Sequence, residues 1–191
     1  MYYKYLLTIL VGILLFSSCK GSKDEIDYID VLYHNTIFGS KQSPEMRENL
    51  KASIPDFTSP YSERGIFPVK ITDSDVLKQI QAELVTLTPQ DKYLYPDVRI
   101  MMDVHYKDGS VKHVDFCGVL SDAIFVDGKR QAYNNRLAYI VKNNVGLYGW
   151  IKDDATFKLM PEIKDTTIVK EPLIEGYWYR EYLMHKVILD D

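Results

Sequence analysis

From Val98 to Lys107 the chain alternates in hydropathy. Val98, Ile100, Met102, Val104 and Tyr106 stand against Arg99, Met101, Asp103, His105 and Lys107, with Met101 the one apolar residue on the polar side. A period of two marks a strand with one buried face. Lys107-Asp108-Gly109 is a turn signal, and Val111–Val119 returns. Two registers compete for this hairpin. A two-residue turn at Asp108-Gly109 would put His113 and Asp115 on the apolar face. A three-residue turn with Gly109 in the left-handed bulge position puts Val114 and Phe116 there, and gathers Asp103, His105, His113 and Asp115 on the other side. A one-residue slip exchanges the faces, so the hydrophobic pattern selects the three-residue turn. A second hairpin follows, from Ala123–Val126 through a turn at Asp127-Gly128-Lys129 and back through Tyr133.

The period changes to that of a helix in two places. Val76, Leu77, Ile80, Leu84 and Leu87 form one stripe, opened by the N-cap chemistry of Thr72-Asp73-Ser74-Asp75 and closed before Pro89. Asn134 or Asn135 caps a further helix with Leu137, Ile140 and Val141 inward, ending near Asn143-Asn144 or at Gly146. Ile26–Tyr33 reads as a strand with imperfect alternation. Ile66–Ile71 reads as an edge strand because it contains Pro68. Ser43-Pro44-Glu45-Met46 predicts a short helix to about Ala52, residues 54–65 a loop, and Thr166–Val169 a strand. The fold class expected is α+β: a mostly antiparallel sheet (a meander) with two helices packed on one face.

The first nineteen residues, MYYKYLLTILVGILLFSSC, follow neither period. Lys4 precedes an apolar run from Leu6 to Phe16 that only Thr8 and Gly12 interrupt. The run is shorter than the about 20 apolar residues a membrane-spanning helix takes, and its basic, apolar, small-residue layout is that of a secretory signal. With Ser17-Ser18 directly before Cys19, the segment resembles a bacterial prolipoprotein signal, with Phe16 where that family usually has Leu. The resemblance implies that residues 1–18 are removed as a signal peptide. Cys19 then becomes the lipidated, palmitate-bearing N-terminus through which the chain meets the membrane. Residues 19–25 form a polar tether, too charged to pack a core. Lys23, Asp24 and Glu25 resemble the export signal of surface-exposed lipoproteins, and Lys20 stands where an Asp would retain the protein in the inner membrane. The location implied is the outer membrane, on its periplasmic face or at the cell surface.

Charge and composition narrow the partners. The net charge is −4 with no run of Lys or Arg, which argues against nucleic acid. Cys19 and Cys117 are the only cysteines, so lipidation of Cys19 leaves no intramolecular disulfide. The α+β domain is expected over 26–150, followed after Lys152-Asp153-Asp154 by an aromatic-rich extension, 151–191. Within the extension Tyr177, Trp178, Tyr179 and Tyr182 are candidate ligand-binding residues, able to stack on sugar rings or form a protein hot spot, or else to cover the open sheet face. Asp103, His105, His113 and Asp115 are candidate metal ligands by residue type. The same pattern is also that of cross-strand pairs on a solvated face, each contributing about 0.2–1 kcal/mol. Cys117 shares a side with His113, but four strand residues span about 13 Å, too far for a Cys–His nucleophile. No G-x-S-x-G, glycine-rich phosphate loop or zinc-spaced cysteine set occurs. The function expected is that of a lipid-anchored cell-envelope lipoprotein, a non-catalytic binding module for a protein or glycan partner, with no cofactor. The alternatives are an immunity or inhibitor protein against a toxin, and a metal-dependent hydrolase using the Asp/His face.

Overall fold

The computed structural model describes residues 24–34, 66–91, 98–151, 154–168 and 173. The helix expected from Ser43 and the loop over 54–65 lie outside them. Six strands, β1 (Ile26–His34), β2 (Ile66–Ile71), β3 (Val98–Tyr106), β4 (Val111–Cys117), β5 (Ala123–Val126) and β6 (Lys129–Gln131), form one antiparallel sheet of order β2-β1-β3-β4-β5-β6. Pro68 sits in β2 at the edge of this order, where a strand can lack an N–H without breaking an interior ladder.

The β3–β4 register is the one the hydrophobic pattern selects, with Asp103 opposite His113, Met102 opposite Val114 and Met101 opposite Asp115. Gly109 has φ +88°, the left-handed position of a three-residue turn. Asp108 Oδ1 accepts from the Ser110 N–H at 2.9 Å and from its hydroxyl at 2.6 Å, closing the turn. Strand β4 stops at Cys117, two residues short of the expected Val119, because Gly118 turns the chain at φ +90°. The next turn is also shorter than expected. Val126 pairs with Lys129, so only Asp127 (φ +48°) and Gly128 (φ +75°) are in the turn, the geometry of a two-residue hairpin with both residues left-handed. Its return strand ends at Gln131, before Tyr133.

Two irregularities change which face a residue occupies. Ile26 pairs with Tyr106 and Tyr28 with His105, so Asp27 is an extra residue. This bulge accounts for the imperfect alternation of β1 and lets both Ile26 and Ile29 face the core. Likewise Val98 pairs with Cys117 and Ile100 with Phe116, which moves Val98 off the apolar face predicted for it and beside Met101 and Cys117.

Helix α1 (Ser74–Leu84) is capped by Asp73, whose Oδ1 accepts from the N–H groups of Asp75 and Val76 at 2.9 and 3.0 Å. It ends before Leu87, which still packs against the core. Helix α2 (Asn135–Asn144) is capped by Asn134, which accepts from the Leu137 N–H at 2.8 Å. Leu77, Ile80 and Leu84 of α1 and Leu137, Ile140 and Val141 of α2 join Ile29, Val31, Ile100, Met102, Val114, Phe116 and Ile124 in one core. Both helices therefore cover the same face of the sheet, and the fold is α+β as expected. A 3₁₀ turn (Leu147–Trp150) and two short helices, α3 (Asp154–Leu159) and α4 (Pro161–Lys164), follow α2. Met160 is buried with Tyr139 and Tyr148, so residues 154–168 are folded onto α2. Where a strand was expected from Thr166, residues 166–168 form a turn instead. Among the described residues no helix is long and apolar enough to cross a membrane.

Candidate functional site

The sheet face away from the helices carries a row of charge across four strands. Lys70 pairs with Asp30, Asp30 with Asp103, and Asp103 with His113. Two carboxylates in directly opposed positions repel, and the Lys70 ammonium beside Asp30 offsets this. Lys70 Nζ lies 2.9 Å from Asp30 Oδ1, and His105 Nε2 lies 3.3 Å from Asp30 Oδ2. His113 Nδ1 lies 2.7 Å from Asp103 Oδ1. Tyr28 stacks on His105 with centroids 4.2 Å apart, and Lys70 Nζ sits 3.8 Å above the Tyr28 ring. The face is solvated only in part: Asp103 is 1% exposed and Asp115 and Arg99 are also buried, while the Lys70 and His113 side chains reach solvent. Leu32, Val98, Met101, Cys117, Ala123 and Phe125 form a second apolar cluster beside the row.

Asp103, His105, His113 and Asp115 thus share a face, but they divide rather than converge. His113 goes with Asp103, and His105 with Asp30 on β1, a partner that hairpin reasoning could not reach. Among the described residues no three His, Cys, Asp or Glu groups are placed to hold a metal ion. Cys117 is buried in the apolar cluster, as a small apolar residue would be. Cys19 and the aromatic candidates Tyr177, Trp178, Tyr179 and Tyr182 lie outside the described residues.

A second polar centre has no forerunner in the sequence reading. Lys142 of α2 and Glu162 of α4 are both 0% exposed and meet at 2.6 Å. Lys142 Nζ also donates to the Leu120 carbonyl at 2.9 Å. Glu162 accepts from the Tyr133 hydroxyl at 2.7 Å and the Tyr148 hydroxyl at 3.1 Å. Burial pushes the Lys142 amine below its ordinary value, and Glu162 beside it acts in the opposite direction. The Tyr133 and Tyr148 phenols are raised, first by burial and then by the adjacent Glu162 charge. A fully bonded, fully buried pair of this kind braces the fold, since each member would be costly to leave alone. Its only sequence signal is a lysine following the inward-facing Val141.

The brace backs an open cleft of about 390 Å³. Three segments line it: Thr86 to Thr88 after α1, Ala132 to Arg136 at the start of α2, and Asp165 with Thr167 and Ile168 after α4. Asn134 donates to Glu83 Oε2 at 3.0 Å and to the Thr86 hydroxyl at 3.1 Å, while Arg136 Nε lies 3.1 Å from Glu83 Oε1. On the other wall Asp165 Oδ1 accepts from the Thr167 hydroxyl at 2.6 Å and N–H at 3.1 Å, with Asn135 Nδ2 at 3.4 Å from Oδ2. The hydroxyl bond from Thr167, then its backbone bond, hold the Asp165 carboxyl below the ordinary carboxylate value. Of the charged side chains on its lining, Arg136 is paired with Glu83, and Asp165 is held by hydrogen bonds from Thr167 and Asn135.

Comparison of the chain with protein-family models, curated proteins and solved structures finds no match. The functional reading rests on the residues themselves.

Proposed function

We propose that this chain is a lipid-anchored lipoprotein of the bacterial outer membrane whose α+β domain is a non-catalytic binding module. The observation that carries the anchor is the segment from Lys4 through the apolar run Leu6–Phe16 to Ser17-Ser18-Cys19. The polar tether after it gives a folded domain freedom to reach a partner near the membrane. Two features support binding rather than chemistry. The buried ion pair Lys142–Glu162 is enclosed and mutually bonded. The polar cleft has its charged side chains in contact with protein groups, Arg136 with Glu83 and Asp165 with Thr167.

Metabolic labelling with a palmitate analogue in a Gram-negative host tests the anchor. The parent chain is expected to take up label and to sediment with outer membranes, and Cys19→Ala to lose both properties. Equal labelling of Cys19→Ala, or a parent chain that never labels, refutes the reading.

A further inference from the structure

We infer that the anchored domain stands with its β3–β4 turn toward the bilayer and the far end of its sheet toward the aqueous side. The inference rests on the lipid-anchor reading and adds to it which surface meets the lipid headgroups.

Topology defines the two ends. Strand β1 begins beside the end of β3, with Ile26 opposite Tyr106, and β4 begins there as well, with Val111 opposite His105. The turn at 107–110 is therefore the tip of the sheet from which the chain leads back to Cys19. At the other end Val98 pairs with Cys117 and Cys117 with Ala123, and residues 118–122 close the loop. Gln131 pairs with Ile124, next to Ala123, so Ala132 and the cleft it lines lie at that far end too.

The point of exit is fixed at the tip. The Lys107 N–H donates to the Glu25 carbonyl at 3.0 Å, and its ammonium donates to the Glu25 carboxylate. The Ile26 N–H donates to Gln81 Oε1 at 3.2 Å. From Glu25 back to Cys19 the chain reaches at most about 22 Å when fully extended. The nine residues of β3 span about 30 Å. An inverted stance, with the far end on the headgroups, would lift Glu25 higher than the tether can follow. The stances that remain keep the tip, on average, nearer the bilayer than the far end.

Charge does not set this stance. Asp24, Glu25, Asp108 and Asp127 share this end of the molecule with Lys107, Lys112 and Lys129. Such a near balance is not the basic cluster that holds a protein to an anionic leaflet. Covalent reach decides the orientation, and covalent reach is insensitive to salt.

The test uses the lipidated chain purified from a Gram-negative host, in vesicles of phosphatidylethanolamine and phosphatidylglycerol that include a nickel-chelating lipid. A nitroxide is attached at Ser110→Cys on the tip or at Val119→Cys, an exposed position on the far loop; Cys117 is buried and stays unlabelled. Relaxation by headgroup nickel falls steeply with distance, so with about 30 Å between the ends the tip signal should exceed the far signal about fivefold or more. The ratio should hold from about 0.05 M to about 0.5 M salt. Inserting about 20 Gly/Ser residues between Gly21 and Ser22 gives a tether with an r.m.s. span of about 30 Å, and should bring the two signals together. Equal signals in the parent, a stronger far signal, a ratio that survives the insertion, or one that high salt abolishes overturns the proposal. Flotation separates the two readings. A chain that does not float with the vesicles refutes the anchor and this stance together, whereas a chain that floats with equal signals refutes the stance alone.

Discussion

Gly109 adopts φ +88°, and a Cβ built there would meet nothing within 4 Å. The cost of a side chain at this position is therefore conformational, not steric crowding. Gly109→Val is expected to lower stability by about 1 kcal/mol or more, beyond the about ±0.5 kcal/mol of an ordinary surface change, as read from urea unfolding. An unchanged midpoint would mean that the turn relaxes out of the left-handed region. Tyr133 and Tyr148 make a second residue-scale prediction. Their phenols are raised above the ordinary value in the folded chain, so the folded state keeps protons that the unfolded chain gives up. Their contribution is complete below about pH 10 and is lost as pH rises beyond it. Tyr148→Phe should make stability fall less steeply above pH 10. Absorbance at 295 nm should show one fewer late-ionising tyrosine in the variant than in the parent. A Tyr148 that ionises with the exposed tyrosines would contradict its place beside Glu162.

Between elements, the buried Lys142–Glu162 pair joins α2 to α4. Removing one member strands the other in the interior, which typically costs about 3–5 kcal/mol, whereas replacing both with apolar residues of similar size costs much less. Lys142→Met and Glu162→Leu are each expected to be strongly destabilising, and the double variant less so than their sum. A chemical-denaturation cycle measures the difference, and strict additivity would show that the two side chains are not coupled. The Leu120 carbonyl and the Tyr133 and Tyr148 hydroxyls each lose a partner in the double variant, so full recovery is not expected.

For the whole molecule, the question is whether residues 154–168 unfold with the sheet. Met160 is buried against Tyr139 of α2 and Tyr148 of the 3₁₀ turn, and Glu162 reaches Lys142. If these contacts make one cooperative unit, Met160→Ala should shift the global transition by about 2–5 kcal/mol, with all probes coincident. A sheet transition left in place while a minor early transition appears would mean that the segment unfolds by itself.

Much of the architecture was legible because local patterns decide it. The alternation of β3 and β4 on either side of a glycine turn admits only one register that buries Val114 and Phe116. Asp73 and Asn134 announce the starts of α1 and α2 because a cap is a local hydrogen bond. Shifts of pairing were not legible. The extra residue that moves Val98 to the other face is defined only against β4. Which residues meet across long separations was equally hidden. Asp30 reaches His105 because β1 is inserted beside β3, and neither sequence neighbourhood records that choice. Lys142 and Glu162 read as solvated charges in isolation, since nothing local distinguishes a lysine that faces water from one that faces a buried carboxylate. Periodicity and caps are properties of a few consecutive residues. Partnership between distant charges exists only once packing has removed the water between them.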